Sequence, residues 1–217
     1  MLHRLFTKNK ITILLIFGIL TLFNSNSYSI NRNNNYEIML QQIQNALDCS
    51  RDSSVSIFNI VNVFADNIKE VISSIASSNS KVRVDSNYIN RIVNKYFASD
   101  QSIVQVSNLK KPLKFYFIKN YLHHLNNLKK TYGYTKVILT FDPDYLAMSK
   151  IEKIGPNRYE LSVTMVQFFS GFRDNILLYS DTTRKKFRFI FNVSNNSLRV
   201  AIDEISVSET IPMKKYY

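Results

Sequence analysis

The spacing of apolar residues changes period partway along this chain, and that change restricts its fold more than any other feature. Before residue 133 they recur at helical intervals; from Thr135 onward they alternate with a period of two. Ile57, Val61, Phe64, Ile68, Val71, Ile72 and Ile75 share one face of a helix over residues 57–75, for which Asp52, Ser53 and Ser54 are possible caps. Ile89, Ile92, Val93, Tyr96 and Phe97 form a shorter stripe. It starts near Asp85 or Ser86, either of which can accept a hydrogen bond from a free first-turn N–H. Phe115, Ile118, Leu122, Leu125 and Leu128 predict a helix over 115–130, which Gly133 can end in the left-handed conformation. Met39, Leu40, Ile43 and Leu47 predict an earlier helix over 36–47. Residues 102–107 alternate as a short strand, broken by Lys110, Lys111 and Pro112.

Four strands follow the change of period, over residues 136–150, 158–169, 178–193 and 198–208. Turn signals separate them: Gly155-Pro156-Asn157, the loop over 171–175, and Asn195-Asn196-Ser197. Tyr159, Leu161, Val163 and Met165 lie on one face against Glu160, Ser162 and Thr164. Phe187, Phe189, Phe191 and Val193 alternate against Arg188, Ile190 and Asn192. Pro143 marks a bend or an edge in the first strand. Helices first and then long antiparallel strands is an α+β order, in which N-terminal helices cover one face of a bent antiparallel sheet of four long strands.

Residues 1–29 read as an export leader. Arg4, Lys8 and Lys10 give a positive start, residues 11–23 are an uncharged apolar run, and Ser27-Tyr28-Ser29 has the small-x-small pattern of a cleavage site. The run falls short of the roughly 20 apolar residues of a spanning helix, so we read cleavage after Ser29 rather than a retained anchor. The expected division is a leader over 1–29, an arm with a short helix over 30–55, one α+β domain over 56–210 and a tail over 211–217. The chain carries 28 Lys+Arg against 16 Asp+Glu, net +12; loss of the leader's three positive charges leaves 12 − 3 = +9. Such a charge suits anionic glycan or lipid, or simply a solvated surface, and export argues against nucleic acid. Cys49 is the only cysteine, so no internal disulfide forms and the core must hold the fold.

The order of elements is similar to that of the NTF2-like (cystatin-like cone) superfamily. More narrowly, residues 64–209 resemble exported uncharacterised domains of Bacteroidetes-type bacteria. The pieces that carry this are Tyr96-Phe97, Val104-Gln105-Val106-Ser107, Tyr121-Leu122, Lys136-Val137, Val166-Gln167-Phe168-Phe169-Ser170-Gly171, Leu178-Tyr179-Ser180-Asp181-Thr182-Thr183 and Asp203-Glu204-Ile205-Ser206-Val207-Ser208-Glu209. The resemblance implies a fold with helices in the concave side of a strongly bent sheet, and an envelope location. It also implies a pocket between helix and sheet, which Tyr121, His124, Tyr159, Gln167, Phe169 and Phe189 could line; an aromatic sheet face is also ordinary core.

Chemistry-bearing motifs are sparse. His123 and His124 are neighbours about 100° apart on a helix and cannot chelate one metal together. Asp142 and Asp144 flank Pro143, where a carboxylate pair could serve as acid and base or simply shape a bend. Asp203-Glu204 in the last strand suggests a bulge or an edge before it suggests catalysis. Arg184, Lys185 and Lys186, with Arg188 and Arg199 nearby, form either an anion-binding patch or a solvated strand face. No phosphate loop, G-x-S-x-G elbow or H-E-x-x-H occurs, and no cofactor or metal is expected. These features lead us to expect an exported, non-catalytic binding or protein-interaction domain of the cell envelope, acting in the periplasm or at the cell surface on a protein or small-molecule ligand. The alternatives are a small-molecule isomerase or hydrolase-type enzyme using Asp142, Asp144 or His124, and a structural envelope component with a basic face for anionic glycan or lipid.

Overall fold

The computed structural model describes residues 30–77, 84–109, 111–149, 151–194 and 197–212. The expected leader, the side chain of Asp144 and the last residues of the expected tail lie outside what is described. Three helices come first: α1 (Ile30–Leu47), α2 (Arg51–Ala76) and α3 (Ser86–Tyr96). Ser50 caps α2, its Oγ accepting from Ser53 N at 3.3 Å, two positions before the expected cluster of caps. Asp85 caps α3, with Oδ1 accepting from Tyr88 N at 2.8 Å. Helix α1 begins earlier than its apolar stripe and docks on α2. Met39, Leu40, Ile43 and Leu47 are buried and the Tyr36 ring meets Phe58 edge-on, so the expected arm is built into the core.

Two strands, β1 (Ile103–Asn108) and β2 (Lys111–Phe117), precede helix α4 (Ile118–Asn126) and the single turn α5 (Leu128–Tyr132). This corrects the helix expected over 115–130. Leu113, Phe115 and Phe117 follow a strand period on the edge strand β2, and Phe115 is 63% exposed rather than turned inward. Only from Ile118 does the helical stripe hold, with Ile118, Leu122 and Leu125 buried. Gly133 closes α5 at φ +67°.

The remaining strands are β3 (Lys136–Met148), β4 (Glu152–Gly155), β5 (Arg158–Arg173), β6 (Ile176–Ser194) and β7 (Ser197–Pro212). Asp174 and Asn175, both at positive φ, form the two-residue connection between β5 and β6 that suits the twist of a hairpin. The sheet runs β2-β1-β7-β6-β5-β3, with β4 also on β5. The short strand expected over 102–107 is β1; beyond it and the four long strands the sheet gains β2 and β4, and β1 joins β7 in parallel, so the sheet is mixed rather than wholly antiparallel. Register shifts at Phe141/Leu146, Arg184/Lys185 and Arg188/Phe189 bend it, since an extra residue on one strand kinks that strand locally. The first of these spans Pro143 on edge strand β3.

The helices lie on one face of this bent sheet, the α+β arrangement expected from the sequence. Phe187, Phe189 and Phe191 of β6, with Leu161, Val163 and Met165 of β5, form the floor. Phe64 of α2 packs edge-on against Tyr96 of α3 at 5.2 Å and against Phe189 at 5.8 Å. Among the described residues no helix is long and apolar enough to cross a membrane.

Candidate functional site

The alternation that puts Phe191, Phe189 and Phe187 under the helices continues along β6 into polar residues. Lys185, Thr183 and Asp181 point to the same inner face, and all three are buried. Here the helices do not fill the space above the sheet, and a cavity of about 340 Å³ remains. Such a volume is ordinary for a small-molecule site. Its apolar wall comes from Leu125, Leu128, Leu139 and Phe169, together with Tyr121, His124, Tyr132 and Tyr134. Its polar wall comes from Gln167 of β5 and from Tyr179, Asp181, Thr183 and Lys185 of β6. Asn108, Tyr132 and Leu178 line it while remaining partly open to solvent.

Lys185 is 3% exposed and reaches two neighbours: its Nζ lies 5.4 Å from the centre of the Tyr121 ring and 3.5 Å from the Gln105 carbonyl oxygen. Among the described residues no carboxylate forms an ion pair with it. Burial lowers its pKa to about 8, and the charge of Asp181 offsets this only in part. Asp181 is held by its neighbours. Tyr179 donates to its Oδ2 at 2.5 Å and Thr183 to its Oδ1 at 3.4 Å, while Leu109 N donates to the Tyr179 oxygen at 3.0 Å. Burial nevertheless raises the Asp181 pKa against these hydrogen bonds and against the charge of Lys185. Burial raises the Tyr179 phenol too, with its hydrogen bond to Asp181 as the second cause, and burial raises Tyr121.

Gln167 is 7% exposed and its Oε1 is buried without a hydrogen-bond partner. On β5 it stands opposite Thr183, with Met165 opposite Lys185, so Gln167 and Lys185 are diagonal neighbours on one face. An unpaired buried carbonyl carries its full desolvation cost, roughly 1–3 kcal/mol.

Of the residues expected to line a pocket, the structure brings together Tyr121, His124, Gln167 and Phe169. Tyr159 and Phe189 instead lie farther along the sheet in the core, where α2 and α3 cover it. His124 stacks on Tyr116 at 5.4 Å and meets Tyr132 edge-on, at the boundary between cavity and surface; His123 is half-buried and does not line the cavity. Asp142 does not line it either.

The expected basic patch divides by strand parity. Lys185 turns inward, whereas Arg184, Lys186 and Arg188 turn outward and Arg199 stands exposed on β7. Two of these guanidiniums are matched by acids across the strands. Arg184 pairs with Glu209 at 3.2 Å, and Arg188 pairs with Asp203 at 2.5 Å and Glu204 at 3.2 Å. Asp203 and Glu204 therefore serve a mixed-charge ladder beside the β6–β7 bulge. Among the described residues no group of three His, Cys, Asp or Glu side chains is placed to hold a metal ion. Sequence reading missed Asp181, Tyr179 and Lys185 as cavity residues, although the period-two pattern of Phe187, Phe189 and Phe191 extends to positions 185, 183 and 181.

No family model matches the chain, and no curated protein matches it. Several solved structures do. One is a candidate scytalone dehydratase from Novosphingobium aromaticivorans, at 6% identity and TM-score 0.42, covering 77% of this chain and 94% of the other. LinA matches at 10% identity and TM-score 0.38, covering 75% and 96%. A type 2 hexachlorocyclohexane dehydrochlorinase matches at 10% identity and TM-score 0.35, covering 72% and 95%. What the cavity can do follows from its own residues.

Proposed function

We propose that the chain is a small-molecule enzyme of the proton-transferring, isomerase-like kind, working in the cavity between α4 and the sheet. The observation that carries this reading is the polar wall itself. A buried amine with no ion pair among the described residues and an orphaned amide oxygen line a cavity whose opposite wall is apolar and aromatic. An empty cavity is lined by apolar groups, whereas buried polar groups call for water or a ligand. This one leaves a donor and an acceptor to be satisfied by something that enters.

The roles follow from the residues. The aromatic wall holds the body of a small apolar molecule, and Gln167 accepts a hydrogen bond from its polar end. Lys185 takes up or returns a proton, because burial has brought its pKa towards the working range of a general base. Asp181, shouldered by Tyr179, is the partner whose proton affinity burial has raised. Burial raises one group and lowers the other, which brings their proton affinities closer and makes proton transfer between them less costly.

Ligand-observed NMR in D2O tests the reading with small ring compounds that carry one hydroxyl or carbonyl. Wild-type protein should bind a subset of them and exchange carbon-bound hydrogens beside the polar group, and K185A should lose the exchange. A panel in which nothing binds wild type more tightly than K185A overturns it.

The leader-like character of residues 1–29 supports an exported location, in the periplasm or at the cell surface. N-terminal sequencing of the protein taken from cells should find a start near Ile30, and an intact Met1 contradicts export by cleavage.

A further inference from the structure

We propose that Lys185 is a nucleophile as well as a base, and that the cavity captures small aldehydes or ketones as a Schiff base on its Nζ. The inference rests on the reading of the cavity as a small-molecule site and narrows its ligand to carbonyl compounds. It stands first on placement. Lysine nucleophiles work where the amine is desolvated and free of a carboxylate, and Lys185 is buried on the cavity wall with no ion pair among the described residues. Its Nζ donates one long hydrogen bond to the Gln105 carbonyl at 3.5 Å and lies over the Tyr121 ring, and an ammonium has three hydrogens to place.

The neighbours supply what the remaining steps need. The nitrogen attacks the carbonyl carbon; a C–N bond forms as the C=O π bond breaks, and one proton passes from the nitrogen to the oxygen to give a neutral carbinolamine. Gln167 Oε1, diagonal to Lys185 across β5 and β6 and without a partner, can accept the hydrogen bond of that new hydroxyl. The hydroxyl then leaves as water with a proton from the Asp181–Tyr179 pair, and the nitrogen gives up a proton. The sum is amine plus carbonyl to imine plus water, with no oxidant, reductant or metal required. The aromatic wall of Tyr132, Tyr134 and Phe169 suits an aryl substituent on the carbonyl. Burial also lowers the amine's proton affinity, which enlarges the neutral, nucleophilic fraction near neutral pH.

The full chain, treated with benzaldehyde and sodium cyanoborohydride near neutral pH, tests this by peptide mapping of the benzylated lysines. Lys185 should be labelled roughly tenfold faster than any other lysine, as expected for a desolvated amine among solvated ones. K185R and K185M should each lose that fast phase and keep the slow background. Labelling spread evenly over the lysines overturns the proposal. Benzyl alcohol, which has no carbonyl, separates the two readings. If it shifts the NMR signals of cavity residues while Lys185 shows no preferential labelling, the small-molecule reading stands and the Schiff base fails. If neither compound engages the cavity, both fail.

Discussion

Tyr179 donates its phenolic hydrogen to Asp181, two residues further along the same strand, at 2.5 Å. Residues i and i+2 of a strand share a face, so both belong to the inner wall of the cavity. The same phenol accepts from Leu109 N and thereby ties the end of the β1 region to β6. Y179F removes a donor from one side and an acceptor from the other. We expect a loss of about 1–2 kcal/mol in urea unfolding, from the buried Asp181 oxygen left without that donor. The Asp181 pKa should rise further, because the lost hydrogen bond is one of those holding it down. Carboxyl 13C NMR reads that shift, and an unchanged Asp181 titration contradicts the arrangement.

Lys185 gives a pH dependence whose sign is fixed. Its pKa falls from 10.5 in the unfolded chain to about 8 in the fold, so between those values the unfolded state binds more protons. Stability therefore rises with pH through that window, and the cost of burying the ammonium is fully present below it. The span corresponds to roughly 3 kcal/mol. Tyr121 and Tyr179 act in the opposite sense above the ordinary tyrosine range, since burial raises both. The rise is thus confined to about pH 8–10. K185M should flatten it in denaturation curves measured across that range, and an equal rise in K185M assigns it elsewhere.

Gln167 separates binding from folding. Q167L removes a buried carbonyl that has no partner, so stability should hold or improve by up to about 1 kcal/mol. Affinity for a hydroxylated ligand such as benzyl alcohol should fall roughly tenfold, the value of one hydrogen bond at a buried site. A clear loss of stability instead means that Oε1 is satisfied within the protein.

Phe189 behaves as the opposite case. It is fully buried against Phe64, away from the cavity lining. F189A should cost about 3–5 kcal/mol through the space it leaves. Under conditions where the variant remains folded, ligand affinity should match wild type. A selective loss of affinity without loss of stability would place Phe189 in the site after all.

The large elements were legible because their periodicities are long and unmixed. The stripe from Ile57 to Ile75 could only be an amphipathic helix, and the alternation from Tyr159 to Met165 could only be a half-buried strand. Residues 111–117 were misread because Phe115 fits both periods. Ile118 three places on suits a helix, whereas Leu113 and Phe117 two places to either side suit a strand, and the edge position of β2 leaves Phe115 in solvent. The parallel pairing of β1 with β7 joins segments about a hundred residues apart, and nothing local in either strand encodes it.

The site was half legible for a related reason. Tyr121, His124, Gln167 and Phe169 were named as lining a pocket that the resemblance implies between helix and sheet. Lys185 was hidden inside the run Arg184-Lys185-Lys186, where three adjacent charges look like one patch. Strand geometry separates them: the parity set by Phe187 and Phe189 sends Lys185 under the helices and leaves Arg184 to pair with Glu209 outside. How far the helices cover the sheet depends on tertiary packing, and that coverage decides whether such a residue meets core or cavity.

The most direct measurement is an NMR titration of the protein with lysines labelled at the ε-carbon, with Lys185 assigned through K185R, in the presence and absence of benzyl alcohol. One signal should titrate near pH 8, apart from the rest, and should shift when the alcohol enters the cavity. If the Lys185 signal titrates with the exposed lysines and does not respond to the alcohol, the cavity is not the site of this protein's chemistry.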